Sequence, residues 1–150
     1  MQEINGCHIC IYTGSTICVT DLFENNKFQI EHIIPRSRSW SDAATNLTLC
    51  ETSFNEFKDK RTPFELQECE NLAGYKKDWS YYKILQRVEG WKKKSEGLTE
   101  QIDKILEDLK GLNPGNSRDL KLQSKHLLTF ERNYYQSKYQ RFIAENINGE

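Results

Sequence analysis

Two kinds of hydrophobic patterning follow one another along the chain, and the change falls near residue 65. Before it, apolar positions come in short runs broken by turn formers; after it, they recur at helical spacing. Ile9 to Tyr12 and Thr16 to Thr20 are β-prone runs on either side of Thr13-Gly14-Ser15. They predict a hairpin in which Gly14 supplies a positive φ. Asp21 is placed to cap a brief helical turn through Leu22 and Phe23. Lys27 to Ile33 alternates polar and apolar up to Pro35, as a half-buried strand does. A polar loop, Arg36 to Thr45, leads to a second alternating run, Asn46-Leu47-Thr48-Leu49-Cys50. Glu51 to Lys60 then carries Phe54 and Phe57 at helical spacing. The order is strand, loop, strand, helix.

Beyond residue 65 the stripes predict three helices. Tyr81, Ile84, Leu85, Val88 and Trp91 form one, and Leu98, Ile102, Ile105, Leu106 and Leu109 a second, stopped by Gly111 and Asn113-Pro114-Gly115. Leu128, Tyr135, Tyr139 and Phe142 lie on one face of a third. These stripes read as core, and the fold class is α+β. With 150 residues the chain has the length of one ordinary domain. Its 8 Gly, 3 Pro and 5 Cys exclude collagen-like, low-complexity and disulfide-scaffold classes. The polar opening MQEINGCHIC has no signal-peptide apolar stretch, and no run approaches the ~20 apolar residues that cross a bilayer. With an odd cysteine count, the expectation is reduced thiols in a cytoplasm and no membrane partner. Charge nearly balances, at a net -1. Nucleic-acid affinity comes largely from neutralising phosphates, so a protein of this charge that handles DNA has the DNA delivered by something else. The basic stretch Lys76 to Lys94 reads as a solvated helix face.

Candidate chemistry gathers in IEHIIPRSRSWSDAATNLTLCETSFNEFKDKRTP. Glu31 and His32 end the first strand of the motif; Asn46 follows the histidine by fourteen residues and Asn55 by twenty-three. Strand neighbours point to opposite faces, so the strand must end or twist here for both side chains to serve one cleft. Asn55 lies about one turn into the following helix, from which it can be aimed back at Glu31. A carboxylate and an amide oxygen converging in this way suit Mg²⁺, which takes oxygen ligands and keeps several waters. His32 beside such a cation can act as a general base, since an imidazole of pKa about 6.5 accepts a proton from water near neutral pH. Asn46 suits a structural role, bonding backbone groups of the loop. Lys58, Arg36 and Arg38 are candidates for steering a phosphate. An isolated Glu-His pair is most often a surface pair; the joint pattern is what favours a shared site.

This pattern resembles the HNH endonuclease motif, and more specifically the HNH domain of the RNA-guided DNA endonucleases of type II CRISPR systems. The spacings from His32 to Asn46 and Asn55 match that family's. CIYTGSTICVTDLF resembles its preceding hairpin, KDKRTPFE the stretch after the catalytic helix, and YYQSKYQRF the segment leading to a companion nuclease domain. The resemblance implies a ββα-metal core over about residues 27–62, preceded by a short β-hairpin and followed by a helical part over about 78–146. Residues 1–150 would then be a single nuclease domain of a larger bacterial effector.

It further implies His32 as general base, Asn46 as the residue ordering the active-site loop, and Glu31 and Asn55 as ligands of Mg²⁺, for which Mn²⁺ can substitute. The implied partners are the target DNA strand in an RNA–DNA heteroduplex, the guide RNA, and the rest of the effector with its second nuclease domain. Glu31 stands where many members have Asp, moving the carboxylate by roughly one bond. Many HNH proteins frame the motif with two CxxC pairs around zinc. Here Cys7-His8-Ile9-Cys10 supplies one pair, but Ser53 stands where the partner of Cys50 is expected, so free thiols are expected rather than structural zinc. Only an unusual geometry would let His8 or Cys69 complete a set, and His126 reads as structural. Two alternatives stand beside this reading: a stand-alone HNH homing or restriction endonuclease, and a non-catalytic zinc-stabilised binding module.

Overall fold

A computed structural model describes residues 3–4, 7–23 and 26–145, with the side chains of residues 3, 4 and 7 outside the description. The fold is α+β, as expected. Three very short strands, β1 (Glu3–Ile4), β2 (Cys7–Ile9) and β3 (Thr16–Ile17), form an antiparallel sheet in the order β1-β2-β3. β2 pairs β3 through His8↔Ile17 and Ile9↔Thr16. The hairpin is present, but its strands are shorter than the β-prone runs. Ile11 and Tyr12 leave the ladder and turn into the core, while Cys10 N–H to Ser15 O and Gly14 N–H to Cys10 O, each 2.8 Å, close the loop. Gly14 has φ 78, as its turn requires. Asp21 lies inside a 3-10 turn (Val19–Leu22) rather than before it, and its carboxylate accepts the Cys18 backbone N–H at 3.1 Å.

Next come β4 (Phe28–His32), a one-turn helix α1 (Arg36–Ser39), a 3-10 turn (Ala44–Asn46), β5 (Leu47–Glu51) and α2 (Thr52–Lys58). β4 and β5 pair antiparallel from Phe28↔Glu51 to His32↔Leu47. Toward its His32 end the two-stranded ribbon is turned opposite to what its apolar alternation predicts, although Phe28 at its start is buried. Glu31, Thr48 and Cys50, which share one face, are buried, whereas Ile30 on the other face is 67% exposed. On the inward face the Glu31 carboxylate meets Tyr12 and Lys58.

Among the described residues that follow, two long helices stand in place of the three expected: α3 (Tyr81–Lys110) and α4 (Asn116–Ile143). The first two stripes fuse because nothing between them stops a helix. Gly97 lowers helix propensity without breaking the ladder, and Ile84, Val88, Trp91, Ser95, Leu98 and Ile102 make one buried seam at alternating spacings of four and three, resumed seven residues on at Leu109. Ser80 caps α3, its Oγ accepting from Lys83 N–H at 3.3 Å. Asn113-Pro114-Gly115 reverses the chain, and α4 returns along α3. The core lies where the root of this helical hairpin meets the small β elements. Tyr12 stacks on Phe54 (4.5 Å, 16°) and touches Phe142 (5.5 Å); Phe54 meets Trp79 edge-on (5.1 Å), and Trp91 meets Phe142 (5.5 Å).

Candidate active site

Glu31 is 2% exposed at the end of β4. A buried carboxylate needs partners for both oxygens. Tyr12 OH donates to Oε2 at 2.9 Å, and the Lys58 ammonium, itself 1% exposed, forms an ion pair with Oε1. Lys58 Nζ also donates to the His32 carbonyl at 3.0 Å. Burial pushes the Glu31 carboxyl above its ordinary range, with Lys58 and then Tyr12 pulling the other way. Burial, and then the negative charge of Glu31, holds the Tyr12 hydroxyl well above its ordinary value, so it remains a donor.

Lys58 and Asn55 are three residues apart on α2 and share a face. Because Lys58 reaches down to Glu31, the face that carries Asn55 overlies the end of β4. Asn55 is half-buried, and its carboxamide is engaged by no other described side chain. Two oxygen donors at the end of this strand–helix pair suit a hard cation. The expectation that Lys58 steers a phosphate meets a different placement: its ammonium is spent inside the core. Among the described residues, no group of three or more His, Cys, Asp or Glu side chains is gathered for a metal ion.

His32 ends β4 and points the opposite way from Glu31, as strand geometry requires. Its Nε2 lies 2.8 Å from Asp42 Oδ1, and the other oxygen of Asp42 meets Arg36 Nη2 at 3.2 Å. The hydrogen bond with His32 holds the Asp42 carboxyl below its ordinary value. Arg38 binds both oxygens of Glu65, at 2.8 and 2.7 Å, and so ties α1 to the segment after α2. Asp42 and Tyr12 stand outside the sequence motif. Tyr12 looked like part of a hairpin strand, and Asp42 like one more polar loop residue; neither carries a local pattern that marks it.

Asn46 is wholly buried and organises the loop between the strands. Its Oδ1 accepts Ile34 N–H at 2.9 Å, while Nδ2 donates to Ile34 O (3.0 Å), Ser41 O (3.0 Å) and Ser39 Oγ (3.3 Å). Its backbone carbonyl accepts Ile33 N–H at 2.8 Å. One side chain thereby fixes the exit from β4 and the far limb of the loop.

Cys10 and Cys50 are both wholly buried and meet. A hydrogen bond from the Cys50 thiol lowers Cys10 to about 6, whereas burial pushes Cys50 far up. Cys69 is buried elsewhere, its thiol 3.5 Å from Glu65 O, and Ser53 is exposed. The side chain of Cys7, the first member of the CxxC pair, lies outside the described residues.

Residues 10–64 match the HNH endonuclease family. Three bacterial proteins are similar over longer or overlapping stretches. CRISPR-associated endonuclease Cas9 1 of Streptococcus thermophilus is 34% identical over 76 residues, or 50% of this chain and 6% of that protein. CRISPR-associated endonuclease Cas9 of Campylobacter jejuni is 41% identical over 56 residues, 37% of this chain and 6% of that protein. CRISPR-associated endonuclease Cas9 of Staphylococcus aureus is 28% identical over 145 residues, 93% of this chain but 14% of that protein. The chain thus corresponds to a small part of the length of these relatives.

Proposed function

We propose, with the HNH endonuclease core over residues 10–64 as the premise, that this chain is the nuclease domain of a larger RNA-guided effector. It would hydrolyse a phosphodiester in the DNA strand paired to guide RNA. The observation that carries the reading is the end of β4, where Glu31 lies under the face of α2 that bears Asn55 and His32 turns outward beside a loop fixed by Asn46.

In this reading His32 takes a proton from water, the resulting hydroxide attacks phosphorus, and the bond to the leaving sugar oxygen breaks with its electron pair going to that oxygen. Glu31 and Asn55 would hold Mg²⁺, with Mn²⁺ as a substitute; when bound, the cation supplies positive charge to the phosphate oxygens as negative charge builds there. Glu31 is available only once Lys58 yields Oε1, so Lys58 holds the carboxylate charged and inward until then. Arg36 and Arg38 lie on the rim; Arg36, its side chain 68% exposed, is the better placed to meet a backbone phosphate. The rest of the effector would hold the heteroduplex, in keeping with a net charge of -1. The small share of each relative that the chain spans favours this reading over a stand-alone enzyme.

The test is strand nicking with and without Mg²⁺, on free duplex and on a guide-bound R-loop, with the chain alone and within its parent effector. His32→Ala should abolish cleavage with little change in melting temperature; retained cleavage would exclude His32 as the base. Asn55→Ala should raise the Mg²⁺ concentration needed for half-maximal rate, and an unaltered requirement would remove Asn55 from the metal.

A further inference from the structure

We infer that Asp42 is a positioning residue for the nuclease site, its carboxylate accepting a hydrogen bond from Nε2–H of His32 and so keeping the lone pair on Nδ1 to receive the proton of water. The inference rests on the reading of His32 as the base and adds to it which ring nitrogen works and what selects it.

An ionised carboxylate only accepts hydrogen bonds. With Nε2 2.8 Å from Asp42 Oδ1, the neutral imidazole carries its proton on Nε2 and keeps its lone pair on Nδ1. Without such a partner the two tautomers interchange, and part of the population presents an N–H to the water. An ion pair between two partly exposed side chains is ordinarily worth little, because holding long side chains together costs entropy. This pair differs in how firmly its acid is placed. The residue before Asp42 has its carbonyl bound by the buried Asn46 amide at 3.0 Å. The residue after it, Ala43, donates its N–H to Ser41 Oγ at 3.3 Å. Ser41 N–H is bound in turn by Ser39 Oγ at 3.2 Å, and Arg36 holds the second carboxylate oxygen. The loop therefore delivers Asp42 to the histidine with its backbone and one oxygen already fixed. This gives Asn46 a chemical consequence although it lies away from solvent: through Ile34 it sets the chain leaving His32, and through Ser41 it sets the acid that orients the ring.

Loss of the outer partner that orients a metal-bound histidine typically costs about 10–100-fold in affinity or activity, and an effect of the same order is expected for the ring of His32. The test has two readouts. In the metal-free, ¹⁵N-labelled chain, at a pH where the ring is neutral, long-range proton–nitrogen spectra should show His32 protonated on Nε2 alone. Asp42→Ala should produce a tautomer mixture, and Asp42→Asn, whose carboxamide oxygen can still accept, should restore the single tautomer. In the full effector, Asp42→Ala should lower the rate of cleavage roughly 10–100-fold with unchanged substrate affinity. A His32 spectrum indifferent to Asp42→Ala would overturn the inference, as would a shifted tautomer with an unchanged rate. Neither result touches the nuclease reading, which falls if the unaltered effector fails to nick the guide-bound R-loop with Mg²⁺, nor the role of His32 as base, which falls if His32→Ala still cleaves.

Discussion

Lys58 shows how one residue can serve stability and chemistry in opposition. Its ammonium and the Glu31 carboxylate are each about 1% exposed, so each is the other's only compensation for leaving water, apart from Tyr12 and one carbonyl. Removing one member of a buried ion pair strands the other and typically costs about 3–5 kcal/mol. Lys58→Met should therefore lower unfolding free energy by about that amount in urea titrations, and adding Glu31→Gln should recover most of the loss. A single-variant cost near zero would mean that the pair is open to water. Neither partner's placement was legible beforehand. A lysine three residues after an asparagine on a helix looks like a surface cation, and a glutamate flanked by Ile30 and His32 looks like the wet face of a strand. Pattern-reading assigns faces by hydrophobicity, and this site inverts that rule. The loop-ordering role of Asn46, by contrast, was legible, because an asparagine just before the second strand stands where its amide can bond the backbone of the loop.

At the scale of elements, α2 is the part that brings Asn55 and Lys58 to the strand, and it ends abruptly. Its closing residue, Asp59, has φ 49 and ψ -123, a region that side chains with a Cβ enter at a cost, while its N–H bonds Asn55 O at 2.9 Å. Asp59→Gly should stabilise the protein by about 1 kcal/mol, measured as a higher urea midpoint at unchanged slope. A lower midpoint would show that the aspartate's own contacts outweigh the strain. The short strands and turn before α2 were readable in kind because glycine, proline and alternation mark them. The number of long helices was not. The two stripes on either side of Gly97 read as separate helices, yet no atom outside its own turn comes within 4 Å of where its Cβ would stand, and the seam runs straight past it.

Taken whole, the molecule joins a small core of β4, β5 and α2 to a long helical hairpin through a few aromatic rings. Phe142, wholly buried near the end of α4, packs on Tyr12 and Trp91, and Tyr81 OH donates to its carbonyl at 2.7 Å. Phe142→Ala should cost about 3–5 kcal/mol by calorimetry or denaturant titration, and the loss should reach the site, because Tyr12 also holds Glu31. A stability loss without any fall in cleavage at a temperature where the variant is folded would separate the two halves. The second link is Arg87. From the first turns of α3 its guanidinium passes beneath Gly14, where a methyl group would stand 3.0 Å from it, and grips the carbonyls of Ile11, Tyr12 and Asp78. The hairpin is therefore a lever about 45 Å long, with its fulcrum at that arginine. The path from the far tip, at residues 111–115, to the acid runs down that hairpin to the backbone of Tyr12 and from there through one phenol.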